Sequence, residues 1–230
     1  MSARASTTAT AIGAACLGLV TLLTVTAVAA DGPTTLDQAL SAWVSQHRSP
    51  GVVSLMEIVT VAGSAVAIWL VGVGCAIWGF AQDEWRPIRF VVPTALAASL
   101  TSNLMKLVIA RPRPTDDIAL RHFSGYSFPS GHATTAAALW GSLAVALVWS
   151  GHLRVRSAVG GWAAFAVLVS ASRIILGAHW LTDVLAGTAV GTGCVALAVL
   201  IAAPRDGAGW SPKDLTKRAA PEGERRVVRP

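Results

Sequence analysis

Three short clusters in this sequence hold residue types that could bind and cleave a phosphate ester. They are Lys106 with Arg111-Pro112-Arg113-Pro114, then Pro129-Ser130-Gly131-His132, then Ser172-Arg173 followed by His179 and Asp183. Cations and hydroxyls neutralise and orient a phosphoryl group, while a histidine paired with a carboxylate can act as nucleophile or base. Lys106 lies seven residues before Arg113. That is close to two helical turns, so both fall on one face if the helix continues that far. The bland reading is a lysine snorkelling from a helix end, with arginines anchoring the loop. Periodicity alone leaves Arg111 and Arg113 as equal candidates. Ser130 and Gly131 follow a proline and open an apolar run. Backbone amides, the positive end of a helix and a hydroxyl make an anion site there, while a plain serine N-cap is the alternative. His179 and Asp183 stand at i and i+4, predicting one shared helix face, with the carboxylate fixing the imidazole tautomer. A structural His–Asp pair or a metal site are the competing readings. A metal would need further ligands, and Asp116 and Asp117 read as solvated loop residues.

The elements that must position these clusters are hydrophobic. Of 230 residues, 53% are hydrophobic and 13% charged, with mean hydropathy +0.59. A soluble domain carries about a quarter charged residues. Apolar runs cover 9–30, 52–80, 90–110, 133–149, 155–171 and 180–202. A spanning helix needs about 20 such residues, so the expectation is an all-α polytopic membrane bundle with about six transmembrane helices. The first run also resembles a signal peptide ending in Ala27-Val28-Ala29, but it exceeds the roughly 7–15 residue core of such a signal and is read as a retained span. Cys16, Cys75 and Cys194 all lie in apolar runs, indicating neither disulfides nor a metal site.

The net charge of +6 follows topology. Arg4, then Arg86 and Arg89, then Arg154 and Arg156 occupy alternate loops, and the tail adds seven more cations from Arg205 to Arg229. The positive-inside rule makes these cytoplasmic together with both termini, and gives no footprint for nucleic acid. The resulting division is a cytoplasmic N-terminus at 1–8, one six-span domain at 9–203, and a cytoplasmic, disordered basic tail at 204–230. Between the first two spans, Thr34 with Asp37 reads as a helix start, and Leu36, Leu40, Trp43 and Val44 recur at helical spacing with Asp37, Gln38 and Gln46 on other faces. This predicts a short helix on the outer surface with Trp43 at the interface. The run 52–80 is too long for one upright span, so it begins at the interface and becomes the second span near Gly63, with Glu57 at the outer edge. Span counting then brings all three clusters to one side of the membrane, the side bearing the loop 115–128. No internal repeat or second soluble domain is evident.

The full spacing carries a resemblance. Lys106 with six residues before Arg113-Pro114, then Pro129-Ser130-Gly131-His132, then Ser172-Arg173 with five residues before His179 and three before Asp183, is similar to the tripartite signature of the type 2 phosphatidic acid phosphatase (PAP2) superfamily. The resemblance covers residues 106–183, departs at no signature position, and selects Arg113 over Arg111. It implies a core shared with the vanadium haloperoxidases, which are soluble. It further implies an integral-membrane, metal-independent lipid phosphatase acting on a lipid phosphomonoester or diphosphate at the extracytoplasmic face, with no cofactor. By the same resemblance Lys106, Arg113, Ser130, Gly131 and Arg173 bind phosphate. His179 is the nucleophile that forms a phosphohistidine, Asp183 orients it, and His132 serves as acid and base. A lipid phosphotransferase of the same superfamily is the alternative, and a membrane anion transporter is the reading from another class.

Overall fold

The structure, a computed structural model, describes residues 3–29 and 32–202. The tail expected to be disordered lies outside the described residues. Eight α-helices follow one another: α1 (Ala3–Ala29), α2 (Thr35–His47), α3 (Pro50–Val59), α4 (Ala65–Gln82), α5 (Arg86–Ile109), α6 (Gly131–Trp149), α7 (Val155–Ile175) and α8 (Leu181–Ala202). A short 3-10 helix, Thr60–Gly63, joins α3 to α4. Six helices, α1 and α4 to α8, are long and apolar enough to cross a membrane. The expected all-α bundle of six spans is therefore the fold, and the run 52–80 divides near Gly63 into the short helix α3 with its 3-10 turn and the span α4.

Helix α6 is the axis of the bundle. It packs against α5, α7, α8 and the 3-10 helix, while α1 leans on α8. Its residues Ala133 to Leu139 are buried without interruption, an enclosure that suits small side chains. The α6–α8 contact is a backbone-to-backbone approach through Gly187 and Gly191. A Cβ on Gly187 would stand 2.5 Å from the Ser130 carbonyl oxygen, and one on Gly191 would collide with the Thr134 carbonyl. Glycines four apart permit this proximity in membranes, where close van der Waals packing, not the hydrophobic effect, joins helices.

Chain reversals at the site end follow local chemistry. Helix α5 stops at Ala110 in a left-handed conformation (φ 50°), and Pro112 and Pro114 prevent its resumption. The condition for Lys106 and Arg113 to share one helix face, that the helix continue to Arg113, is not met, because α5 ends between them. Helix α2 starts with the predicted pair: Asp37 N donates to Thr34 Oγ1 and Thr34 N to Asp37 Oδ2, both at 3.1 Å. Its orientation reverses the ordinary soluble pattern. Leu36 and Trp43 are 60% and 58% exposed, while Asp37 and Ser41 are buried at 0% and 2%. The helix end is tied to α7 by Arg48 Nη1 donating to the Ile175 carbonyl at 3.1 Å.

Candidate active site

The three clusters meet at the end of the bundle formed by the C-terminal ends of α5 and α7 and the N-terminal ends of α6 and α8. Lys106, in the last turn of α5, donates through Nζ to the carbonyls of Tyr126 (2.9 Å) and Ser127 (3.3 Å). Arg113 follows in the loop after α5. Its Nε donates to the Ser124 and Gly125 carbonyls at 3.2 and 2.9 Å, and its Nη1 to the Ala178 carbonyl at 2.7 Å. Arg173, buried in the last turn of α7, donates through Nη1 to Thr60 Oγ1 at 2.8 Å. The guanidinium carbons of Arg113, Arg121 and Arg173 lie 5.9, 5.2 and 5.4 Å from the Phe123 ring centroid, so one aromatic ring gathers three cations. None of Lys106, Arg113 and Arg173 is ion-paired among the described residues.

The second cluster is tied directly to the third. Ser130 N donates to the Asp183 carbonyl at 2.9 Å, fixing the start of α6 against the start of α8. Ser130 precedes α6 as its cap residue, yet its side chain makes no capping bond. Ser130 Oγ, Ser102 Oγ and Arg173 Nε are buried with no hydrogen-bond partner among the described residues. Buried polar atoms are satisfied in the great majority of cases, so such a group in one region is a mark of function. Gly131 adjoins them: a Cβ there would meet Ser102 Oγ at 3.8 Å and Lys106 Cε at 3.9 Å, ordinary contact distances. Packing within the protein therefore does not demand glycine at 131. His132, in the first turn of α6, makes no hydrogen bond through its ring among the described residues and lies within electrostatic reach of Arg173, His179, Lys106 and Arg113.

His179 precedes α8, so it does not share a helical face with Asp183 as the i, i+4 spacing suggested. The pair still meets. Val184 N donates to the Trp180 carbonyl at 3.3 Å as the helix opens, and Asp183 Oδ2 turns back to accept Trp180 N at 2.9 Å. This folds the carboxylate toward the residue before the helix, with His179 Nδ1 3.5 Å from Oδ2. That is ion-pair range; Nδ1 completes no hydrogen bond. On the other side of the ring, Arg113 Nη1 is 3.2 Å from Nε2. Arginine can only donate, so Nε2 carries the lone pair and Nδ1 carries the proton that faces Asp183. Burial pushes the imidazole down from its ordinary value to about 4, with Arg113 and Lys106 acting the same way and Asp183 opposing them. At neutral pH His179 is thus an uncharged ring with its free nitrogen among the cations.

The structure also brings to the centre Arg111, which the signature spacing passed over, and Asp37. Arg111 is 3% exposed and bonds Asp183 Oδ1 at 2.6 Å and Asp37 Oδ2 at 2.8 Å. Asp37, read as a cap alone, also accepts Thr182 N at 2.9 Å and Thr182 Oγ1 at 2.8 Å. Burial would raise its carboxyl, but the hydrogen bonds from Thr182, Arg111 and Thr34 outweigh that and hold it below the usual carboxylate range. Thr60 and Ser102 are further absentees, neither lying in a cluster. Asp116 and Asp117 are exposed in the loop as expected, as is Glu57 on α3. Among the described residues no group of three or more His, Cys, Asp and Glu could hold a metal ion.

The model of the PAP2 superfamily matches residues 88–206. This chain belongs to the PAP2 superfamily. The match takes in all three clusters and the four helices that carry them. Phosphatidylglycerophosphatase B of Bacillus subtilis is 32% identical over 162 residues, covering 67% of this chain and 77% of that protein. Lipid A 1-phosphatase of Rhizobium etli is 32% identical over 152 residues, covering 59% of this chain and 60% of that protein. Among solved structures, the transmembrane PAP2-type phosphatidylglycerolphosphate phosphatase from Bacillus subtilis superposes with a TM-score of 0.69 at 29% identity, covering 78% of this PAP2 chain and 92% of the other.

Proposed function

We propose that this chain is an integral-membrane lipid phosphatase that removes phosphate from a lipid phosphomonoester or diphosphate through a phosphohistidine at His179. One observation carries the reading: in a buried imidazole, Nε2 lies 3.2 Å from the Arg113 guanidinium while Nδ1 lies 3.5 Å from the Asp183 carboxylate. Lys106, Arg113 and Arg173 neutralise the phosphoryl oxygens, with Ser130 Oγ and the amides at the start of α6 as additional donors. Glycine at 131 has no packing reason within the protein, which fits close approach of a ligand to the backbone there. His179 Nε2 attacks phosphorus in line, and the bond from phosphorus to the lipid oxygen breaks as His132 delivers a proton to that oxygen. The phosphorylated imidazole is cationic, and Asp183 offsets that charge. His132 then takes a proton from water, the hydroxide attacks phosphorus, and the N–P bond breaks to release inorganic phosphate and neutral His179. No step calls for a metal ion.

The site end of the bundle faces the extracytoplasmic side in this reading. Its support is the distribution of arginine, since Arg86, Arg89, Arg154 and Arg156 all lie at the opposite end. The exposed apolar face of α2, with Leu36 and Trp43 outward, suits a helix lying in the outer leaflet beside the site. A lipid whose tail stays in the bilayer could reach the cations from there.

The test is phosphate release by the purified protein from a panel of phosphatidic acid, phosphatidylglycerol phosphate and polyprenyl diphosphate, with chelator present throughout. Release from at least one lipid is expected, and His179→Ala should reduce it by roughly 10³-fold or more, as removal of a nucleophile does elsewhere. Hydrolysis that persists in His179→Ala sinks the mechanism, and loss of wild-type activity in chelator sinks its metal independence.

A further inference from the structure

Arg111 has no place in the phosphate-binding set, yet its guanidinium donates four hydrogen bonds in a buried polar group. Nη1 donates to Asp183 Oδ1 (2.6 Å) and Thr182 Oγ1 (2.7 Å), and Nη2 to Asp37 Oδ2 (2.8 Å) and the Gly32 carbonyl (3.0 Å). All three charged side chains are at most 3% exposed. One guanidinium between two carboxylates leaves a net charge of minus one, held out of water. The division of Asp183 is equally definite: Oδ1 belongs to Arg111, while Oδ2 belongs to Trp180 N and the His179 ring.

This arrangement answers a problem that an Arg–Asp pair alone would create. A guanidinium bonded only to Asp183 would cancel the charge that the imidazole relies upon when it becomes cationic. A second carboxylate on the far side of Arg111 shares the guanidinium and restores negative potential toward His179. Resting on the phosphohistidine reading, we infer that Arg111 and Asp37 are positioning residues for His179: Arg111 fixes the Asp183 carboxylate, and Asp37 keeps that carboxylate effective by dividing the arginine's charge. The outer helix α2 is thereby part of the reaction apparatus, reaching Arg111 and Thr182 from 74 and 145 residues away in sequence.

Other charges around His179 are accounted for. It faces Asp183 from α8, Arg113 from the loop after α5, Lys106 from α5 and His132 from α6. Asp37 faces Arg111 with Thr182 and Thr34. Asp37 and Asp183 are thus the carboxylates of this network, and the former can be neutralised without touching any group that would contact phosphate.

Asp37→Asn keeps the shape and removes the charge. Arg111 should then act on Asp183 alone, and the His179 imidazolium should lose stabilisation. The expected result is a fall of kcat by roughly tenfold, the factor equivalent to one pKa unit, with KM within twofold. Because His179 must be unprotonated to attack, the acid limb of the kcat profile should also move to lower pH. A purely structural role for Asp37 would reduce the amount of active enzyme and leave that limb in place. Asp37→Ser, which also loses the charge but retains a hydroxyl for Thr182 N, repeats the measurement should the asparagine variant fold poorly. Nitrogen NMR of ring-labelled histidine in the substrate-free protein gives a readout that needs no turnover. The His179 signals should show the Nδ1–H tautomer in wild type, and titrate at lower pH in either variant. Should wild type release no phosphate from any lipid, the phosphatase reading fails while the NMR titration still decides the positioning. An unmoved His179 titration in both variants overturns the inference.

Discussion

The two ends of the helical bundle are held together by different physics. At the site end, buried polar residues from α2, α7, α8, the 3-10 helix and the loop between α5 and α6 bond one another directly: Ser130 N to Asp183, Arg111 to Asp37 and Asp183, and Arg173 to Thr60. Backbones touch at Gly187 and Gly191, and the Gly63 backbone abuts the His132 carbonyl. At the other end, α1, α6, α7 and α8 surround a cavity of about 380 Å³ lined by alanine, valine and tryptophan, including Ala144, Val148, Trp149, Trp162 and Ala196. A second cavity of about 220 Å³ lies between α4, α5 and α6, with Cys75, Trp78 and Leu143 among its lining. Directional bonds fix atoms to tenths of an ångström, which chemistry at phosphorus requires. Dispersion between apolar side chains fixes only the spacing of helices, and inside a bilayer no water penalises a gap. The difference shows where this molecule concentrates its specificity.

The severest way to break this contrast is Arg111→Met. It leaves Asp37 and Asp183 facing each other without their cation, and breaking a buried ion pair costs about 3–5 kcal/mol. Phosphate release should be lost, and thermal unfolding in detergent should shift down by many degrees; wild-type behaviour in both would show that the polar end is not held by this network. A smaller effect is expected from Gly187→Ala, whose methyl would meet Ser130 O at 2.5 Å and Thr134 Oγ1 at 3.0 Å. Overpacking of this kind costs about 1–3 kcal/mol. Because the strain falls on the residue that opens α6, kcat should fall more than stability does, which parallel activity and melting measurements separate. The smallest effect belongs to the far end. Ala144→Leu should partly fill the larger cavity and leave kcat and KM within twofold of wild type, with stability unchanged or raised by up to about 1–2 kcal/mol. A substantial loss of activity there would mean that the apolar end is mechanically coupled to the site.

The spans and the convergence of the three clusters were legible because both rest on local signals: apolar length, and charge at the ends of apolar runs. The network behind them was hidden for specific reasons. Asp37 satisfies a capping box with Thr34, which is a sufficient explanation for an aspartate at that position, and the box is indeed formed. Its second role depends on Arg111, 74 residues away, and no periodicity reports such a distance. Arg111 lost to Arg113 because signature spacing assigns only one arginine, leaving the other without a task. Helix α2, expected on the outer surface with Trp43 at the interface, has Trp43 exposed and Asp37 buried, and its own periodicity does not report which partners Asp37 meets inside. Beside a bilayer the polar face turns inward to the protein and the apolar face outward, as Asp37 and Leu36 do here. The exact relation of His179 to Asp183 escaped for a smaller reason: a spacing of four suggests a helix, but the same meeting arises when a first-turn carboxylate folds back onto the residue before the helix.

The donors of Lys106 and Arg113 have one consequence for affinity. They are engaged by five main-chain carbonyls, those of Tyr126, Ser127, Ser124, Gly125 and Ala178. Four of these carbonyls belong to the loop preceding α6, which therefore competes with an entering anion for those donors. Only the surplus of an anion's interactions over those carbonyls appears as affinity. A lipid phosphate whose tail stays in the bilayer is held at high local concentration beside the site, whereas inorganic phosphate arrives from solution. On the proposed function the balance favours a lipid substrate over the released phosphate, so free phosphate should be a weak inhibitor.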